Sequence, residues 1–106
     1  MATRVLWQNA PAGTTLTDVY TAPAGNGVVV STITVCNRNA TASTFRLSIA
    51  PAAAADANSQ YVYYDQVIDA NETFACTFGI TLAPTDVVRF KQPATGLTCQ
   101  GFGVES

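Results

Sequence analysis

The sequence predicts an all-β domain, a single antiparallel β-sandwich of jelly-roll type with roughly seven to nine short strands. Three observations carry this. Stretches rich in β-branched and aromatic residues recur along the chain, Gly/Pro/Asn turns interrupt them roughly every eight to twelve residues, and no helical period is long enough to cover a sheet. With 106 residues the chain has room for one domain, residues 1–106, and one core. The order Cys, Trp, Cys that marks immunoglobulin domains is absent, because Trp7 precedes all three cysteines.

Thr3 to Gln8 is β-prone and places Val5 and Trp7 on one side of an extended chain, so residues 1–10 read as an edge strand or as an N-terminal arm reaching a neighbour. Pro11 and Gly13 end it, since proline offers no amide proton to a ladder and glycine accepts positive φ. Thr15 to Thr21 is the second strand, with Leu16 and Tyr20 on a shared face and Asp18 between them. The Gly-Asn-Gly of residues 25–27 is a strong turn signal and leads into Val28 to Asn37, a central, largely covered strand. Strict alternation there puts Val29, Ser31, Ile33 and Val35 on one face, and Val30, Thr32, Thr34 and Cys36 on the other.

A turn at residues 37–41 is followed by Ser43 to Ala50, with Phe45, Leu47 and Ile49 inward and Thr44, Arg46 and Ser48 outward. These two strands are expected to form a hairpin. Residues 50–59 are alanine-rich but flanked by Pro51 and by Asn58-Ser59, which makes them a connecting loop with at most a turn or two of helix, expected to cross between sheets. Tyr61 to Ile68, the turn Asp69-Ala-Asn-Glu72, and the alternation Phe74, Cys76, Phe78, Ile80 read as a second hairpin. Short strands at Val87 to Lys91 and Leu97 to Val104 complete the pattern, and Gly101 and Gly103 in the last one signal a bulge or a close backbone approach.

Charged residues make up 11% of the chain, where ordinary soluble domains carry about 25%. A surface so poor in charge suits a subunit whose neighbours cover it. Arg4, Arg38, Arg46, Arg89 and Lys91 are scattered and the net charge is −2, so no basic stripe exists for nucleic acid. No apolar run approaches the roughly 18 residues that span a bilayer, and the first residues lack the apolar run of a signal peptide, so the expected setting is a cytoplasm and no membrane. Cys36, Cys76 and Cys99 are odd in number and widely spaced, which fits reduced, buried thiols better than disulfides or zinc ligands.

No catalytic constellation is expected. Serine and cysteine nucleophiles need a base, and the chain has no histidine. The acids Asp65, Asp69, Glu72 and Asp86 sit where any β protein places acids, and no phosphate-cradling motif occurs. The Asp69–Glu72 turn offers oxygen ligands close in sequence but lacks the further acids a calcium loop needs, so it reads as a capped turn. Neither a metal nor a cofactor is expected. The best candidate for a recognition surface is Tyr61-Val-Tyr-Tyr64, where alternation puts Tyr61 and Tyr63 on one face and Tyr64 on the other, one of those faces being core.

Residues 20–37, 42–49, 61–65 and 80–88 together resemble a group of small β-sandwich proteins from tailed bacteriophages, through turns and strands that cover most of the chain. The resemblance implies a virion structural protein: a capsid cement (decoration) protein, a tail component or a fibre domain. For the cement role it implies assembly in the host cytoplasm, a place on the capsid surface, and two partners, further copies of the chain in a homotrimer and the major capsid protein. It brings no catalytic residue and no small-molecule substrate. Val5, Trp7, Tyr61, Tyr63 and Tyr64 are the expected protein contacts. The alternative is a receptor- or carbohydrate-binding module on a tail or fibre, for which Tyr61, Tyr63, Tyr64, Asp65 and Gln66 would supply the site.

Overall fold

A computed structural model describes residues 2–10, 13, 15–25, 27–77, 79–93 and 96–105, with the backbone alone for residues 2 and 3. Its strands are β1 (Ala2–Asn9), β2 (Thr17–Thr21), β3 (Val28–Asn37), β4 (Ser43–Ala50), β5 (Tyr61–Ile68), β6 (Thr73–Cys76), β7 (Ile80–Leu82), β8 (Val87–Lys91) and β9 (Leu97–Glu105). One sheet runs β1-β9-β3-β6, with β7 paired to β3 beyond β6; the other runs β2-β8-β4-β5; every pairing is antiparallel. One edge strand is broken between Cys76 and Ile80 into β6 and β7, with Gly79 at φ 75°. Taken as one strand, they complete the jelly-roll order of two interleaved four-stranded sheets. Asn26 of the expected turn, and Phe78 of the expected alternation, lie outside the described residues, as do Pro11, Ala12, Ala94 and Thr95.

The inner faces of the two sheets supply the core. Val28, Val30, Ile33, Val35, Leu82, Leu97 and Cys99 come from the first sheet, and Phe45, Leu47, Val88 and Phe90 from the second. At the centre Phe45 stacks on Phe90 at 5.6 Å and meets Phe74 edge-on at 5.5 Å, spacings at which aromatic quadrupoles attract.

Neither expected hairpin forms. β3 and β4 lie in opposite sheets, as do β5 and β6, so each short turn carries the chain across the core. The physical reason is that Ile33 and Val35 bury most surface by facing Phe45 and Leu47, which stacks the strands instead of pairing their edges. The 51–60 segment is the expected connecting loop, with single 3-10 turns at Pro51–Ala53 and Asn58–Gln60, but it does not cross between sheets. It joins β4 to β5 inside one sheet and folds over the outside of that sheet, where the Ala52 amide donates to Asp86 and Arg89 Nη1 donates to the Ala54 carbonyl. Under it Ser48, Ala50 and Val87 are buried, although Ser48 was expected to face outward.

Bulges account for the other departures from alternation. β9 is opposed by an extra residue on each side, Leu6 of β1 facing the Gly101–Phe102 step and Ser31 of β3 facing the Phe102–Gly103 step. The bulge at Ser31 flips the phase of β3, so Val28 and Val30 point inward together with Ile33 and Val35, whereas Val29 turns outward with Thr32 and Thr34. The glycines permit this close approach: a Cβ on Gly103 would overlap the Val29 carbonyl, and one on Gly101 would overlap the Trp7 ring. Val19 is a third extra residue, opposite β8, and is buried where Leu16 and Tyr20 alone were expected to define the face.

Ala2–Asn9 therefore contributes an edge strand. Trp7 lies over Gly101, stacks on Tyr20 at 5.2 Å and donates its indole N–H to Cys99 Sγ at 3.4 Å. The Tyr20 hydroxyl donates to Glu105 (2.6 Å), which also pairs with Arg4 (3.2 Å). At the opposite end, the buried Asn37 amide donates to the carbonyls of Thr41, Ile68 and Asp69, tying two turns to β3.

Candidate functional site

The two sheets present outer faces of opposite character. On the first sheet the outward residues are Val5 and Gln8 of β1, Thr98, Gln100, Phe102 and Val104 of β9, Val29, Thr32, Thr34 and Cys36 of β3, and Thr73, Ala75 and Thr81 of the broken edge. None of these carries a charge. Val5 is 46% exposed and Val29 49%, and Phe102, opposite Val5, lies between them in a half-buried row. Gln8 Nε2 donates to Gln100 Oε1 at 3.0 Å across the same face. A flat β face with an apolar centre and neutral hydrogen-bonding groups around it is suited to dry contact with another protein, because no charge has to be stripped of water.

The second sheet carries Asp18, Arg89, Lys91, Arg46 and Asp65 on its outer face. Arg89 pairs with Asp18 across β8 and β2 at 2.9 Å. β5 contains two extra residues relative to β4, between Gln66 and Tyr63 and between Tyr63 and Tyr61. The first of these bulges places Asp65 in the left-handed region at φ 54°, an unfavourable conformation for a residue with a Cβ, and aims its carboxylate at Arg46. Arg46 Nε and Nη2 donate to the two carboxylate oxygens at 2.7 and 3.2 Å, while the guanidinium stacks on the Tyr64 ring with its carbon 3.9 Å from the centroid. The bond from Arg46 holds the Asp65 carboxyl below its usual range and raises the guanidinium in turn.

Beside this pair is a depression of about 300 Å³ lined by Thr44, Phe45, Arg46, Asp65, Lys91, Gln92 and Pro93. A second hollow, lined among others by Thr44, Val67 and Pro93, continues it along the edge of the sheet.

The expected contact residues separate accordingly. Val5 is exposed on the neutral face, whereas Trp7 is 6% exposed and belongs to the core, where it seals the corner between β1 and β2. The expected pairing of Tyr61 with Tyr63 is replaced by Tyr61 with Tyr64: these two meet edge-on at 5.1 Å on the outer face, and Tyr64 is 58% exposed. Tyr63 turns inward against Phe45 and Phe74 and bonds to Cys76. Tyr61 donates to Asp56 at 3.1 Å; burial first, and this bond second, raise its hydroxyl pKa. Gln66 lies near this cluster but bonds the Val67 carbonyl.

Sequence reasoning did not single out Arg46, Lys91, Val29, Phe102 or Val67, the last of which is 57% exposed. The signal available for Arg46 and Lys91 was their outward phase in two strands; what brings them together is strand order, which local patterning does not encode.

Among the described residues no group of three or more Cys, Asp or Glu side chains comes together to hold a metal ion. At the Asp69–Glu72 turn the Asp69 carbonyl accepts from Asn37 and from the Glu72 amide, and the Glu72 carbonyl accepts from the Asn37 amide, which commits those oxygens to the turn. No protein-family model, no curated protein and no solved structure matches the chain.

Proposed function

We propose that the chain is a non-enzymatic virion structural protein, a capsid cement subunit that associates with further copies of itself and clamps neighbouring major capsid subunits on the capsid surface, after assembly in the host cytoplasm. The observation that supports this most is the uncharged outer face of the first sheet, with Val5, Val29, Phe102 and Val104 at its centre. Such a face favours contact over solvation, and repetition over a lattice turns modest individual contacts into a stable shell. No nucleic acid, membrane or small-molecule substrate enters this role.

The test is mass photometry of the purified protein, followed by co-sedimentation with capsids. A trimer that occupies the capsid surface, and a Val5→Lys/Val29→Lys double variant that does not, is the expected result. A monomer with no capsid occupancy overturns the proposal. The alternative, a receptor- or carbohydrate-binding module on a tail or fibre, draws on the exposed Tyr64 beside the depression. Arg46 covers one face of that ring, which leaves a poorer stacking platform for a sugar. Glycan-array binding that is lost in Tyr64→Ala would favour it.

A further inference from the structure

Arg46 and Lys91 stand directly opposite each other in the β4/β8 ladder. Two like charges at such positions repel, because Cβ atoms there are about 5 Å apart. One carboxylate, Asp65, serves both: it accepts hydrogen bonds from Arg46 and is attracted by Lys91 without bonding to it, and it does so from a left-handed backbone conformation. The local balance is two cations against one carboxylate, a net charge of +1 at the mouth of the depression of about 300 Å³.

The guanidinium is immobilised on two sides. Its Nε/Nη2 edge is held by Asp65, and its flat face lies on Tyr64. Among the described residues, neither its Nη1 nor the half-buried Lys91 Nζ has a hydrogen-bond partner. A guanidinium held this way loses little freedom when it binds, and so retains more of the energy of a charge-assisted hydrogen bond.

We infer that this depression is a binding site for a carboxylate, the side chain of a glutamate or aspartate on a protein partner, gripped between Arg46 Nη1 and Lys91 Nζ. A dianionic phosphate fits less well, because the Asp65 carboxylate at the rim repels the second charge. A polypeptide is favoured over an acidic sugar because Arg46 already occupies a face of the Tyr64 ring, while Val67 and Pro93 give the rim an apolar border suited to a side-chain stem. The choice of a protein as the source rests on the assembly role proposed above; the carboxylate site itself does not.

The test is an amide NMR titration of the full chain with three probes: a blocked Ala-Glu-Ala-Glu-Ala peptide, the same peptide with glutamine for glutamate, and a free sialic acid. The glutamate peptide is expected to move the amides of Thr44, Arg46, Asp65 and Lys91, and the glutamine peptide to leave them in place. Lys91→Gln should weaken binding about tenfold, the loss of one charge-assisted contact, and Lys91→Arg should keep it within about threefold. Equal shifts from both peptides, or shifts confined to the first sheet, overturn the site. Tighter binding of the sialic acid than of the glutamate peptide overturns the protein source. Because the titration uses the isolated chain, a failure here leaves capsid occupancy unaffected, and a failure of occupancy leaves this titration unaffected.

Discussion

The two outer faces are built from the same number of strand layers, yet one carries five charged side chains and the other none among its described residues. Each sheet buries an apolar inner side, so the inner sides are interchangeable in kind. The difference lies in what water is asked to solvate. The charged face satisfies itself with ion pairs, a cation–π stack and a loop that bonds to Arg89. The neutral face has threonines, glutamines, aliphatic groups, Phe102 and Cys36, none of which holds water as tightly as a charge does. A molecule that keeps charge off one of its two sheet faces has divided its surface into a part adapted to solvent or to charged ligands and a part adapted to being covered.

The largest effect that would test this division is at the strand that borders both environments. Val5 and Trp7 are two residues apart, but the bulge at Leu6 sends one outward and the other into the core. Trp7→Ala should cost about 3–5 kcal/mol and lower Tm by more than about 10 °C in a thermal melt, whereas Val5→Ala should change Tm little. Equal effects would mean that the bulge does not separate the two positions. Next in size, Val5→Lys/Val29→Lys should weaken self-association more than about a hundredfold by sedimentation, with the fold intact by circular dichroism. Lys91→Gln on the charged face should leave self-association within about threefold. If either face abolishes association equally, the division of labour is lost.

The core and the charged face should also fail at opposite ends of the pH scale. Burial pushes the Cys99 thiol up to about 11 from its ordinary 9, partly offset by the indole N–H donated by Trp7. Burial and the bond to Glu105 raise Tyr20 as well. A folded-state pKa above the unfolded value means that this stabilisation is complete below pH 9 and is lost as pH rises through 11. Denaturant midpoints should therefore drop over that window, and Cys99→Ala should flatten the drop. The smallest effect belongs to Asp65, whose pKa is lowered from 3.8 by Arg46; its contribution is present above that value and disappears as pH falls below it. Because the pair is exposed, Asp65→Asn should change Tm by about 2 °C or less at neutral pH, with any difference shrinking as pH falls below 3.8 and in high salt.

Strand identity was legible in the sequence, because β-branched alternation and Gly/Pro turns are local signals. The run Ser43 to Ala50 and the alternation through Phe74 and Cys76 both appear as strands with the expected side inward at Phe45, Leu47, Phe74 and Cys76. Partnership was not legible. A short turn between two amphipathic strands is compatible with pairing their edges or stacking their faces, and only the rest of the fold decides. Phase was lost wherever an extra residue enters a ladder, at Leu6, Val19, Ser31 and within β5: Gly101 and Gly103 announced an irregularity in β9, but nothing in the extra residues themselves shows where it falls in the facing strands. Half of the candidate site falls under that limitation. Tyr61 and Tyr64 share a face, and Asp65 reaches Arg46, only because β5 is bulged.

The last strand also sets the timing of folding. β9 lies between β1 and β3, pairing residues near position 2 with residues near position 105. While the chain is being synthesised, β1 has no ladder partner and β3 has an open edge, whatever their intrinsic preference for extended structure. The first sheet, and with it the neutral face, cannot exist until residues 97–105 have left the ribosome. Closure over so long a loop is slow, and in the interval the unpaired edges of β1 and β3 are templates for other unfinished chains. Under the assembly role proposed above, a contact face that forms only once residues 97–105 are available would protect newly made chains from premature association, and a chain lacking those residues should be prone to aggregate.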